Sequence, residues 1–267
     1  MLNKKWVQKL RIPGLGRTWA SEGARFDGPY PDWAQAEANC TGYDSESILE
    51  KVVAATRVVE SGAAVFERDS VLFYEESFVW PVVAGLNYAA AMSGGTLNVL
   101  DFGGALGSSY FQSRGLLAKQ AEIRWNIVEQ NHYVEAGKRE TQGDQLRFYT
   151  TIEDCLSENK VNAVLLSGVL QYLEEPYVVL RELQSLGCEV VIMDRTILNS
   201  RDVNEIYVQH VPETIYSASY PCASLSARQI IAAMDEYYDL KSDFSSLRFP
   251  ALRSIDSQFR GLLFTRK

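Results

Sequence analysis

Short apolar runs and stretches of helical periodicity alternate along the second two-thirds of the chain, the pattern of parallel βαβ units whose strands are covered on both faces. The runs predict strands at Leu97–Phe102, Ile123–Val128, Leu146–Tyr149, Ala163–Leu166 and Glu189–Met193. Helices are expected between them. The clearest opens on Pro176, a residue suited to the first helical position, carries Val179, Leu183 and Leu186 on one face, and stops at Gly187. Ser226 and Gln229 have capping-box spacing ahead of a helix over Ile230–Glu236. Two further strands, near Tyr237–Phe244 and Phe259–Thr265, follow with no helix between them and predict an antiparallel closure. Seven strands in this arrangement predict an α/β chain: a doubly wound, Rossmann-like sheet with helices on both faces.

Ahead of Gly94-Gly95 the periodicity is helical. Ile48, Val52, Ala55 and Val59 fall on one helix face, with Ser47 and Glu50 at capping-box spacing, and a second helix is expected over 76–92. Residues 26–43, FDGPYPDWAQAEANCTGY, combine turn formers with aromatics and read as an ordered loop with a short helix. The expected organisation is therefore a helical N-terminal extension, residues 1–95, and a sheet domain, residues 96–267. Within residues 2–11, Leu2, Trp6 and Leu10 repeat every four positions among Lys4, Lys5 and Lys9. As a helix, this segment suits peripheral contact with an anionic membrane; the alternative reading is a frayed, solvated end.

Composition narrows the function classes. With 46% hydrophobic residues among 267 the chain can bury a large core, and its net charge of −8 is a poor balance for gripping a phosphate backbone, which argues against general nucleic-acid binding. Cys40, Cys155, Cys188 and Cys222 form no CxxC pair and fit reduced thiols in a cytoplasmic protein. The longest apolar stretch, Pro81–Met92, is short of the roughly 18 residues needed to span a bilayer, and no secretory signal is evident.

The segment LNVLDFGGALGSSYF, residues 97–111, places Asp101, Gly103, Gly104, Ala105 and Gly107 between a strand and a helix. Small residues at such a turn let backbone N–H groups approach a ligand that a Cβ would obstruct. The dinucleotide pattern GxGxxG is not met; the loop is closer to DxGxGxG with Ala105 in the middle place. The next strand ends at Glu129, where a carboxylate can accept hydrogen bonds from both vicinal hydroxyls of a ribose. A loop and an acid so placed point to an adenosyl cofactor. The plainer reading is that Asp101 caps the helix, the glycines allow tight packing and Glu129 is solvated. There is no GxxxxGK[ST], GxSxG, DxD, HExxH or Cys/His cluster, so P-loop, hydrolase, familiar glycosyltransferase and zinc chemistry are unsupported, and no metal is expected.

On these residues the sequence resembles the class I S-adenosylmethionine-dependent methyltransferases. The likeness covers roughly residues 96–267 through DFGGALG, Glu129, VLLSGVLQYLEEP and the two closing strands. FDGPYPDW, GYDS, SGVLQYLEEP, MDRT and IYSASYP further resemble a bacterial branch associated with cell-surface polysaccharide genes, over almost the whole chain. The resemblance implies S-adenosylmethionine as cofactor, with Gly103, Ala105 and Gly107 beneath its methionine part. It also implies Glu129 on the ribose, Gln130 beside the adenine, and Ser167 and Gly168 presenting carbonyls to the ammonium. Thr150 and Thr151 are further candidates for the adenine edge. Ala105 departs from the family's glycine. The implied acceptor is a small molecule such as a sugar or nucleotide-linked sugar hydroxyl, and its deprotonation needs a base. His210, following the fifth strand and preceding an aromatic loop, is the positional candidate for that base, and Tyr172 the candidate for orienting the acceptor. His132 reads as a surface or capping residue. Asp194 and Arg195 end the fifth strand either as ligand-binding groups or as a structural ion pair, and Tyr216, Tyr220 and Pro221 suggest an aromatic substrate wall. Two alternatives stand beside this reading: a nicotinamide-dependent oxidoreductase, disfavoured by the broken GxGxxG, and a non-catalytic scaffold of the same fold.

Overall fold

A computed structural model describes residues 24–41, 45–117, 122–212, 218–246, 252 and 254–267. The basic segment 2–11 and Tyr216 lie outside the described residues. No helix among the described residues is long and apolar enough to cross a membrane.

The first part of the chain carries β1 (Arg25–Tyr30), α1 (Trp33–Ala38), α2 (Ser45–Glu60), a hairpin of β2 (Phe66–Arg68) and β3 (Val71–Phe73), and α3 (Trp80–Met92). The parallel units follow: β4 (Thr96–Phe102), α4 (Ser108–Ser113), β5 (Glu122–Val128), α5 (Asn131–Glu140), β6 (Leu146–Tyr149), α6 (Ile152–Glu158), β7 (Ala163–Ser167), α7 (Pro176–Ser185) and β8 (Val190–Asn199). The chain then forms β9 (Glu205–His210), β10 (Ser219–Ser226), α8 (Ala227–Met234), β11 (Tyr238–Ser245) and β12 (Gln258–Arg266). The segment before residue 96, expected to hold helices and an ordered loop over 26–43, also contributes three short strands. Their sequences are short or carry Gly-Pro, which reads as a turn rather than a strand.

The main sheet runs β6-β5-β4-β7-β8-β12-β11, with β12 antiparallel between β8 and β11 and the first five strands parallel. This is the doubly wound seven-stranded sheet with an antiparallel closure that the sequence pattern predicts. Alternation along each strand divides the apolar side chains between two cores. Val99, Leu165 and Ile192 face one helical layer, whereas Leu100, Leu166 and Met193 face the other. The predicted cap on α8 is present, with the Ser226 hydroxyl accepting from the Gln229 amide. Helix α3 is apolar on nearly every side and lies against β4 and β8. It comes this close because Gly85 has no Cβ; one added there would sit 2.4 Å from Leu263 Cδ1.

An unforeseen feature grows from β8. That strand continues five residues beyond Asp194, and its end at Leu198 and Asn199 pairs with β10, which is followed outward by β9 and β1. Strand β1, near the start of the described chain, thus forms the far edge of a sheet whose middle lies past residue 200.

Candidate functional site

Strand order reverses between β4 and its neighbours β5 and β7, and in a doubly wound sheet the crevice at such a point collects ligands. A cleft of about 720 Å³ opens there, within the usual size of a small-molecule site. One half is built by the ends of β4, β5, β6 and β7. Gly103 and Gly104 are required by close approach: a Cβ on Gly103, which also has φ +73°, would lie 2.6 Å from Val169 Cγ2, and one on Gly104 would lie 2.6 Å from the Asp101 carboxyl. Asp101 is fully buried beneath the loop. It does not cap α4, whose first residue follows Gly107 without a side-chain cap. Its Oδ2 accepts from Trp125 Nε1 at 2.8 Å, its Oδ1 has no partner, and burial pushes the carboxyl up to about 7 against the opposing effect of the Trp125 bond.

Glu129 stands half-buried at the end of β5 and accepts backbone N–H bonds from Gln130, at 2.7 Å, and from Ala105. Burial raises its pKa, and those two bonds oppose the rise. The acid and the glycine loop are therefore in direct contact. Gln130, Thr150 and Gly168 line the same half. Thr151 has another task, since its hydroxyl caps α6 by accepting from the Asp154 amide at 3.0 Å. The carbonyl of Ser167, expected to face a cofactor ammonium, instead accepts from an Arg195 N–H at 3.1 Å.

The other half is walled by Tyr172, Gln209, Tyr220, Arg195 and the β2–β3 hairpin. Tyr172 lies edge-on to Tyr220, with ring centroids 5.2 Å apart, and donates to Gln209 Oε1 at 3.1 Å. Burial raises its phenol pKa well above the usual range, which keeps it a hydrogen-bond donor and unsuits it as a base. His210 does not line the cleft. Gln209 and Val211 do, and strand alternation turns the residue between them to the opposite face. There His210 Nε2 pairs with Asp27 at 2.8 Å, beside Arg25 on β1. The positional argument for His210 as base assumed a loop after the fifth strand, and the segment is a strand instead. His132 is also absent from the lining. Asp194 and Arg195 make no ion pair with each other. Ser246 donates its hydroxyl to Asp194 Oδ1 at 2.9 Å, whereas Arg195 binds Ser167 and lies 3.9 Å from Asp69.

Sequence reasoning missed the hairpin that supplies Glu67, Arg68 and Asp69. Its turn is Asp69-Ser70, both with positive φ (50° and 64°), the backbone of a type I′ turn normally filled by Asn-Gly. Phe66 stacked on its cross-strand partner Phe73, centroids 4.4 Å apart, secures the register. Glu67 is buried; one oxygen accepts the Ser108 hydroxyl, the other the Ser70 amide at 3.1 Å, and burial pushes its carboxyl up to about 7. Arg68 donates to Gln112 of α4, and burial together with the Arg195 charge lowers its guanidinium to about 10. Four non-glycine residues have left-handed backbone among those described, and three of them, Asp69, Ala105 and Arg195, line this cleft. Such conformations cost about 1–3 kcal/mol each and gather where a ligand dictates geometry.

No protein-family model and no curated protein matches the sequence. Among solved structures, the N-terminal domain of EvdMO1 with S-adenosylhomocysteine bound is 14% identical, covering 80% of this chain and 95% of that one at a TM-score of 0.48. Magnesium protoporphyrin IX methyltransferase from Synechocystis PCC 6803, with bound S-adenosylmethionine, is 17% identical over 85% and 87% of the two chains, at a TM-score of 0.44. The Burkholderia thailandensis 1,6-didemethyltoxoflavin N1-methyltransferase, with its substrate and S-adenosylhomocysteine, is 14% identical over 90% and 92%, at 0.43. Strand order and the two buried cores define the fold independently of these likenesses.

Proposed function

We propose that this protein transfers the methyl group of S-adenosylmethionine to a hydroxyl of a small-molecule acceptor, a sugar or nucleotide-linked sugar. The observation that carries this reading is Glu129, a carboxylate at the end of the second parallel strand, hydrogen-bonded to the glycine loop at the point where strand order reverses. The residues present fit the cofactor: Gly103, Gly104 and Ala105 line the crevice beside Glu129, and the buried Asp101 beneath the loop keeps one oxygen without a partner. In this reading Gly103, Gly104, Ala105 and Gly107 lie under the methionine part, Glu129 holds the ribose hydroxyls, Gln130 and Thr150 flank the adenine, and Gly168 faces the ammonium. Bound there, the cofactor supplies an electrophilic methyl group on a sulfonium.

The chain's own contribution is alignment and proton removal. With His210 facing away, Glu67 is the buried carboxyl of the acceptor half, poised near neutrality, and takes the hydroxyl proton. Tyr172 donates a hydrogen bond to orient the acceptor. The mixture of aromatic rings with Gln209, Asp69 and Arg195 suits a ring bearing several hydroxyls.

Thermal melting in the presence of S-adenosylhomocysteine, NAD or NADP tests the assignment. S-adenosylhomocysteine raises the Tm and the nicotinamides do not, because binding to the folded state alone stabilises it by mass action. Preferential stabilisation by NAD overturns the reading.

A further inference from the structure

Two guanidinium groups reach the acceptor half from unrelated parts of the chain, Arg68 from the hairpin and Arg195 from the middle of β8. Neither has a carboxylate in hydrogen-bond contact. Arg68 gives one N–H to the neutral amide of Gln112, while its Nε, closed off from solvent, has no partner. Arg195 spends its Nε and one N–H on Ser167, and the nearest carboxylate oxygen, on Asp69, is 3.9 Å away. The other acids near the pair form no hydrogen bond to either guanidinium. Glu67 is bonded to Ser108 and Ser70, and Asp194 to Ser246. A guanidinium has five N–H donors in a fixed fork, so both groups retain unused donors facing one cleft. The Arg195 charge lowers the Arg68 pKa, an effect that Asp194, Asp69 and Glu67 oppose, and Arg195 is held there on a left-handed backbone with φ +52°. An arrangement with unspent donors and backbone strain, whose nearest acid stands off at 3.9 Å, has room for a further partner of opposite charge.

We propose that Arg68 and Arg195 together bind an oxyanion carried by the acceptor, a phosphate or a carboxylate, so that the substrate of this cleft is an anionic one such as a sugar phosphate, a nucleotide-linked sugar or a sugar acid. This rests on the methyl-transfer reading for the identity of the other occupant. An oxyanion between the two forks accepts charge-assisted hydrogen bonds from both. The group so fixed sits at the hairpin side of the cleft, beside Glu67, and the acceptor's reacting hydroxyl is then a short distance from the anion. The competing occupant is the carboxylate of the cofactor itself.

Protein saturated with S-adenosylhomocysteine is titrated calorimetrically with inorganic phosphate and, separately, with acetate. Saturable binding of phosphate, acetate or both to the loaded protein is expected, and whichever binds more tightly names the oxyanion. Arg68→Gln and Arg195→Gln each weaken it by about tenfold or more, the loss of a hydrogen bond to a charged group, with S-adenosylhomocysteine affinity essentially unchanged. Where a glutamine variant gives no cooperative melt, the lysine variant replaces it; a point charge in place of the fork still weakens binding by about threefold or more. Failure of both anions to bind the loaded protein overturns the proposal, as does unchanged anion affinity in folded variants. Displacement of S-adenosylhomocysteine by phosphate, with both variants losing cofactor affinity, also overturns it and assigns the pair to the cofactor's carboxylate. Anion binding that the variants abolish, in a protein that does not bind S-adenosylhomocysteine at all, refutes the methyl-transfer reading and leaves the oxyanion site standing.

Discussion

Replacing Asp101 by asparagine tests the electrostatics beneath the loop without needing a substrate. Unfolded, this carboxyl ionises near its ordinary value of 3.8; folded, burial keeps it protonated up to about 7. Between those values the folded protein holds more protons than the unfolded chain, so stability falls as pH rises through the interval. At about 1.4 kcal/mol per pH unit, the penalty reaches ~4 kcal/mol by pH 7 and stays there at higher pH. Asparagine cannot ionise, and the variant lacks this slope. Its carbonyl still accepts from Trp125 Nε1, and its amide nitrogen takes the place of the partnerless Oδ1, where the protonated parent likewise carries a donor without a partner. Asp101→Asn therefore gains on the parent by ~2.5–3 kcal/mol between pH 5 and pH 8, nearly all of it below pH 7. Urea unfolding followed by tryptophan fluorescence across that range gives both curves. Glu67, also pushed up to about 7, adds a falling slope of its own to both proteins and cancels in the difference. Parallel curves for parent and variant between pH 5 and 8 refute the argument, and with it the claim that a buried, half-satisfied carboxyl underlies the loop.

Glu129→Ala weakens S-adenosylhomocysteine binding by about 1.5–3 kcal/mol by calorimetry while the protein stays folded, since the lost bonds run to a charged acceptor; unchanged affinity means the ribose is held elsewhere. Glu67→Gln, assayed against an acceptor found by screening sugar phosphates, lowers kcat by about 10²-fold or more and abolishes the rise of rate with pH near 7, with cofactor affinity retained. A variant with the parent's pH profile removes Glu67 from the proton path. His210→Ala leaves cofactor binding and turnover intact and changes stability by less than about 1 kcal/mol, because its partner Asp27 is well exposed; a large loss of turnover restores it to the mechanism.

The parallel sheet was legible because its strands are short, predominantly apolar segments between helical stretches, most nearly continuous in β7 and in the first half of β8. The half of the cleft built by the glycine loop and Glu129 was legible for a related reason: it is local, a few residues at the ends of the parallel strands. The half walled by the hairpin and β9–β10 is assembled differently. Strand β10, SYPCASLS, contains a proline and mostly small residues, and β1 contains Gly-Pro, so both look like turns although each pairs with β9. The hairpin turn uses Asp-Ser where Asn-Gly would have announced it, which hid Glu67 and Arg68. His210 was misplaced by the same error, since a residue in an unseen strand has a facing direction that a loop residue does not.

The outer pairing of β1 with β9 has a consequence for the order in which the protein becomes competent. His210 and Asp27 meet across a sequence separation of 183, whereas the strands that cradle the loop are contributed by successive units. Closing so long a loop costs entropy that the local contacts do not have to meet, so long-range pairings of this kind form late. On the ribosome β1 emerges early and then waits for more than half of the chain before its partner exists. A folding molecule accordingly passes through a stage in which the glycine loop and Glu129 are in place while β9 still lacks its outer partner β1. Pulse-labelled hydrogen exchange during refolding then finds the amides of β4 and β5 protected before those of β1 and β9.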